Sequence, residues 1–142
     1  MSVQLDARPV RVEGRSRLAV AGVTVVAALA LWALLEPVAG IDLAAKQGSG
    51  TVEVGAVSVF FAAAAMAFAG WGLLAILERR TVNARKVWTV TAVIACVLSL
   101  GSPLTSGIGA GAKLGLASLH LVVGAAVVLG LRRTALSATE RC

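Results

Sequence analysis

The sequence predicts an all-α protein, a four-helix transmembrane bundle. Three observations support this: an apolar composition, four separate apolar blocks, and charges confined between the blocks. Of the 142 residues, 58% are hydrophobic and 14% are charged, and the mean hydropathy is +0.91. A soluble domain has about a quarter of its residues charged and under half apolar. The apolar residues lie in continuous runs instead of at amphipathic spacing, and the length supports one domain.

The first transmembrane span is predicted over residues 18–36, after a basic tail over residues 1–17. The apolar run ends at Glu36 and Pro37 and is close to the roughly 20 helical residues that cross a bilayer core of about 30 Å. A secretory signal has an apolar region of only about 7–15 residues. Because three more apolar blocks follow, we expect an uncleaved span.

Three further spans are predicted over residues 54–78, 87–104 and 113–131, followed by a tail over residues 132–142. The polar segments between them are predicted to be an external loop over 41–53, a short turn near 78–86 and a Gly/Ser-rich loop over 105–112. The short second connection makes the second and third spans an antiparallel hairpin.

The placement of the basic residues predicts the orientation. With the N-terminus inside, only Lys46 and Lys113 of the thirteen basic residues lie outside. The other eleven are cytoplasmic: Arg8, Arg11, Arg15, Arg17, Arg79, Arg80, Arg85, Lys86, Arg132, Arg133 and Arg141. This is the asymmetry of the positive-inside rule, and it predicts an up-down-up-down bundle with both termini cytoplasmic. The net charge of +6 is therefore read as a topology signal, and no nucleic-acid partner is expected.

Small and aromatic residues predict how the helices pack. Small residues recur at a spacing of four in two places, at Gly107, Gly111 and Gly115 and at Ala65 and Ala69. This spacing is expected to allow the helices to approach closely within one bundle. Trp32 and Trp88 suit the two membrane interfaces. Trp71 lies about 12 Å inside the span and is expected to fill a packing gap.

A polar cluster is predicted where the third and fourth spans meet. His120 lies about 18 Å and Ser99 about 20 Å from the cytoplasmic end of their spans, so the two are level. Pro103 has no N–H and leaves the Ser99 carbonyl without its helical partner. We expect the His120 ring to donate to that carbonyl. The contact either pins the bundle or marks a proton-linked or ligand-binding site.

A second candidate group is acidic and lies at the outer end of the first span. Glu36 is about 28 Å along the helix from Arg17, and Asp42 and Glu53 make the same side acidic. Lys46 and Lys113 are the expected partners of these carboxylates. Glu36 is either a solvated carboxylate at a helix end or the outward site of a cation or proton pathway above His120.

Other chemistry is not indicated. One histidine and two unclustered cysteines, Cys96 and Cys142, provide no zinc or haem ligand set, and no catalytic triad or phosphate-loop spacing occurs. Neither cofactor nor metal is expected, and an enzyme is not predicted.

Several short motifs together resemble a family of uncharacterised four-helix membrane proteins from actinobacteria, classed as a domain of unknown function. The motifs are Glu36-Pro37-x-x-Gly40-x-Asp42-Leu43, Trp71-Gly72-Leu73-Leu74-Ala75-x-Leu77-Glu78-Arg79, Arg85-x-x-Trp88, Leu98-Ser99-Leu100-x-x-Pro103-Leu104 and Leu119-His120-Leu121-Val122-Val123. The resemblance covers nearly the whole chain outside the tails. It implies a bacterial plasma-membrane location and four spans, and it implies no activity.

The leading hypothesis is a non-enzymatic structural or accessory bundle in the lipid bilayer, associated with another membrane protein or with further copies of itself. The alternative is a small proton- or cation-coupled carrier that uses His120 and Glu36. Four short helices rarely enclose a pathway alone, so such a carrier is expected to oligomerise.

Overall fold

A computed structural model describes residues 14–135, which form helices and one β-hairpin. The elements are α1 (Gly14–Ala33), β1 (Ala44–Gln47), β2 (Gly50–Glu53), α2 (Ala56–Arg80), α3 (Ala84–Ser99), α4 (Gly101–Ser106) and α5 (Gly109–Thr134), and a π-helical turn (Leu34–Val38) extends α1. Most of both predicted tails, 1–13 and 136–142, lies outside the described residues.

Four helical segments are long and apolar enough to cross a membrane: Gly14–Val38, Ala56–Arg80, Ala84–Ser106 and Gly109–Thr134. Each coincides with one predicted span and is longer than predicted at one end or both. The largest difference is at 105–112, which was predicted to be a loop. Only Gly107 and Ile108 separate α4 from α5 there. The three glycines of this segment favoured a loop prediction, but Gly109 and Gly111 lie in α5.

The two prolines of the described spans explain where the helices change geometry. Pro37 has no N–H, and around it the Ala39 amide bonds to the Leu34 carbonyl, five residues back, at 2.9 Å. This wider turn accommodates the proline in the last helical turn, and the segment ends one residue later at Val38. Pro103 similarly lies three residues after the break between α3 and α4 at Leu100. The third span therefore has two helical parts.

The segment predicted as an external loop forms a β-hairpin. The antiparallel pairs run from Ala44–Glu53 to Gln47–Gly50. Gly48, with φ +62°, occupies the first position of the two-residue turn, where a type II′ hairpin requires positive φ. Ala45 also pairs with Gly107, so the hairpin is attached to the α4–α5 connection.

The hydrophobic core has two clusters, one towards each end of the bundle. The first contains Ala21, Ala67, Leu74, Trp88, Val127, Leu131 and Ala135. The second contains Ala28, Leu43, Val59, Ala63, Leu116 and Leu119. In α3 only Ala84 and Trp88 are buried, so this helix is attached mainly at its first turns.

The predicted rows of small residues pack differently from the expectation. Ala63 and Ala67 are the buried small pair of α2, whereas Ala65 and Ala69 are exposed. The prediction chose the wrong face because nearly every position of this stretch is alanine. Gly115 approaches Leu43 so closely that an added Cβ would lie 2.6 Å from the Leu43 Cδ2. This glycine therefore faces the segment that leads from α1 to the hairpin, and the Leu35 side chain of the π-helical turn lies 3.6 Å from the same Cβ position.

Candidate functional site

Among the described residues, a groove lies between α2, α3 and α5, with a volume of about 430 Å³. We call it the lateral groove. It is lined by residues from 58–73 of α2, 88–99 of α3 and 116–128 of α5, with Ala28 and Val54. None of its lining residues is Asp, Glu, Lys or Arg.

Near one end of the lateral groove, α2 and α3 are in close contact. The ring of Trp88 packs against Gly70, where an added Cβ would be 3.1 Å from its Cη2 atom. Trp88 was expected to lie in an interfacial aromatic belt. It is 2% exposed and lies in the core instead. Farther along α3, Cys96 packs against Gly124 of α5. Cys96 therefore belongs to the contact between α3 and α5.

The lateral groove opens sideways between α2 and α3. Ala62, Met66 and Ala69 of α2 line it and are exposed, and so are Thr91 and Ala95 of α3. These residues lie along the middle of their helices, so the opening faces the side of the bundle. In a bilayer that side is in contact with lipid chains.

His120 and Ser99 both line the groove, but the predicted hydrogen bond between them is absent. The His120 Nδ1 atom lies 2.8 Å from the Leu116 carbonyl oxygen, and the Ser99 hydroxyl donates to the Cys96 carbonyl at 2.7 Å. The His120 ring, which was expected to donate to the Ser99 carbonyl, bonds instead to a carbonyl one turn back in its own helix, which costs less ordering than a contact between helices.

The hydrogen bond of His120 determines the state of its ring. A carbonyl only accepts, so Nδ1 carries the proton in the neutral imidazole and Nε2 has a free lone pair. Among the described residues Nε2 has no hydrogen-bond partner, and it is not sealed from its surroundings. His120 is thus an acceptor available to a molecule in the lateral groove.

The other predicted site residues lie apart from the groove. Pro103 is buried in α4 and is not among the lining residues. Glu36 is half-buried in the π-helical turn, and its Oε2 atom is buried without a partner among the described residues. Asp42 is exposed.

The predicted ion pairs at this end are also absent. Within the described part of the chain, none of the outer carboxylates pairs with Lys46 or Lys113. Trp32 holds this end instead, because its indole N–H donates to the Val54 carbonyl at 2.9 Å and joins α1 to the start of α2.

A polar contact at the opposite end was missed by the sequence analysis. The Arg17 guanidinium lies 2.7 Å from the Glu78 carboxylate and also donates to the Thr134 carbonyl at 3.3 Å. The side chains are 5% and 12% exposed. Arg85 donates to the Ala135 carbonyl at 2.6 Å. We call these five residues the arginine clamp.

The arginine clamp joins the start of α1, the end of α2, the start of α3 and the end of α5. We refer to this end as the basic end and to the opposite end as the hairpin end. The sequence contains one signal for this contact, Glu78. It is the one acidic residue in the segment 78–86, which also contains four basic residues. Its charge opposes the positive-inside pattern and so indicated a specific partner.

No metal centre is present within residues 14–135, where no group of three His, Cys, Asp or Glu side chains has the arrangement to hold an ion. What the site offers is an apolar surface, one free imidazole nitrogen and a few hydroxyl groups. This arrangement suits the binding of an uncharged molecule.

The fold and the groove define a class: a helical membrane protein with four apolar spans and a laterally open groove. The chain belongs to the family described as "Family of unknown function (DUF6069)", whose model matches residues 8–137. This match confirms the predicted resemblance to a family of unknown function. No curated protein and no solved structure matches the chain.

Proposed function

We propose that this protein is a non-enzymatic accessory or structural bundle of a bacterial, specifically actinobacterial, plasma membrane. It acts within the plane of the bilayer, together with another membrane protein or further copies of itself. The observation that carries the proposal is the direction of the lateral groove, which opens towards the side of the bundle. A groove of this kind exchanges molecules with the lipid phase and not with either aqueous compartment.

Both ends of the bundle are closed by side chains, which supports the same conclusion. At the hairpin end Leu43 is 1% exposed and packs against Gly115 of α5. At the basic end the Arg17–Glu78 pair lies between α1 and α2. A transport pathway along the bundle axis would have to displace both.

The proposed orientation has the basic end in the cytoplasm, with both termini inside. Eight basic residues of the described part lie near the ends of their helices on this side: Arg15, Arg17, Arg79, Arg80, Arg85, Lys86, Arg132 and Arg133. The two remaining described basic residues, Lys46 and Lys113, lie at the hairpin end. The contrast is the pattern that the positive-inside rule describes.

The alternative is a proton- or cation-coupled carrier that uses His120 and Glu36. It gains one feature from the structure, the free Nε2 atom of His120. It also requires a connection between the two residues, and Glu36 does not line the groove that contains His120. The geometry therefore favours the accessory bundle.

Proton flux into liposomes distinguishes the two functions. Vesicles containing the wild-type protein should acidify at the rate of empty vesicles after a pH jump, and vesicles with His120→Ala should do the same. A protonophore added at the end shows that the vesicles are sealed. A wild-type rate clearly above that of empty vesicles, lost in His120→Ala and in Glu36→Gln but retained in Glu53→Gln, would establish the carrier instead.

A further inference from the structure

The dimensions of the lateral groove restrict what can occupy it. Along α5 it extends from Leu116 to Val128, twelve residues or about 18 Å of helix. Its volume of about 430 Å³ lies within the range of about 300–1,000 Å³ that is typical of small-molecule pockets. The groove therefore has the volume of a small-molecule site and a length that suits an extended hydrocarbon chain.

The polar groups of the groove add a chemical requirement. Along the axis of α5, His120 lies about 6 Å from Leu116 at one end of the groove and about 12 Å from Val128 at the other. Its Nε2 atom is an acceptor with no partner among residues 14–135. In the low-dielectric interior of a bilayer such an acceptor favours an occupant that places a donor beside it.

A charged occupant does not fit this position. No carboxylate, ammonium or guanidinium group lines the groove to pair with a charge. An unpaired charge at this depth costs several kcal/mol. A bilayer phospholipid would keep its headgroup at the interface and leave His120 beside a bare acyl chain. The matching donor is thus an uncharged hydroxyl.

We propose that the lateral groove binds an uncharged, single-chain lipophilic alcohol. Its hydroxyl group donates to the Nε2 atom of His120, and its hydrocarbon chain lies along the apolar part of the groove towards Trp88. The molecule enters sideways between Ala69 of α2 and Ala95 of α3, both of which are exposed. This inference rests on the proposed function only in placing the bundle in a bilayer.

Because His120 is the chain's only histidine, its ring nitrogens give a specific probe. Protein labelled with ¹⁵N-histidine and held in lipid nanodiscs is titrated with 1-dodecanol, and separately with dodecane. We expect 1-dodecanol to shift the Nε2 resonance saturably, with an affinity about five-fold higher than that of dodecane, as one hydrogen bond inside a membrane provides. Equal affinity, or no saturable shift with the alcohol, would overturn the proposal.

A matched pair of variants on α2 locates the binding. Ala69 lines the groove and is exposed, whereas Ala65 is exposed but does not line it. Ala69→Phe should abolish the alcohol-dependent shift, and Ala65→Phe should retain it. If Ala69→Phe does not fold, as judged from helical circular dichroism and the unliganded His120 resonance, Ala62→Phe serves the same purpose from one side of the groove. An unchanged titration in a folded groove variant would refute the site.

The outcome is independent of the flux experiment. Proton flux would contradict the accessory function while leaving alcohol binding as a property of the groove. A failed titration with no flux would leave the accessory bundle without this ligand.

Discussion

Replacing Glu78 by glutamine should strongly destabilise the bundle, although the substitution preserves the shape of the side chain. Glu78 holds the Arg17 guanidinium at 2.7 Å, and Arg17 is 5% exposed. The Nε atom of Arg17 already lacks a partner among the described residues. Removing the negative charge therefore leaves a buried positive charge with only neutral acceptors, the glutamine amide oxygen and the Thr134 carbonyl at 3.3 Å.

The expected size of the effect follows from the balance within the ion pair. Two charges about 4 Å apart attract each other by about 4 kcal/mol at an effective dielectric constant of 20. Removing both from water costs several kcal/mol per ion, so the intact pair contributes little net stability. Loss of one partner keeps the desolvation cost and removes the attraction, which amounts to about 3–5 kcal/mol. Because the Thr134 contact remains, we expect the lower value, about 3 kcal/mol, or about a 100-fold change in the unfolding equilibrium constant.

The free energy of unfolding is measured by titrating SDS into mixed micelles and following helical circular dichroism. Glu53→Gln is the matched control, because Glu53 is exposed on β2 and its substitution should change stability by less than about 0.5 kcal/mol. A double variant with Arg17→Met and Glu78→Leu should recover most of the loss, since neither charge remains. A loss below about 1 kcal/mol in Glu78→Gln would show that water, and not the carboxylate, solvates Arg17.

Two further predictions concern packing and orientation. Gly70→Ala should cost about 1–2 kcal/mol, because the added Cβ would lie 3.0 Å from Val127 and 3.1 Å from Trp88. Gly72→Ala, with no atom within 4 Å, should be neutral or stabilising in the same SDS titration, and equal effects would contradict this packing. Ser49→Cys, at the hairpin tip, should react with an impermeant maleimide in intact cells, whereas the native Cys142 should react only after permeabilisation; the reverse result would overturn the orientation.

The four helical segments could be predicted because their signal is local. Each is a continuous apolar run of the length that a bilayer requires, and backbone hydrogen bonding in lipid leaves helix as the available conformation. Prediction failed where two local signals competed. Glycines at 107, 109 and 111 indicated a loop, but α5 begins at Gly109 and continues through Gly111, which leaves room for the Ile41 side chain.

The candidate site was predicted only in part for a related reason. The depth of His120 and Ser99 followed from counting residues, and both side chains do line the lateral groove. Their partners did not follow, because a hydroxyl or imidazole in a helix has a carbonyl of its own previous turn within reach. Helix rotation and tilt decide whether a side chain reaches a neighbour instead, and an apolar, alanine-rich sequence contains little information about either.

The sequence by itself therefore determined the class of this protein: four apolar helical segments with the basic residues gathered at alternate connections. Length, hydropathy and charge are sums over neighbouring residues, so no tertiary information is needed to read them. Only the tertiary structure decided that Trp88 packs against Gly70, that the groove between α2, α3 and α5 opens sideways, and that Arg17 is paired with Glu78. These features depend on which small residues of distant segments meet, and close packing of that kind is a property of the assembled bundle.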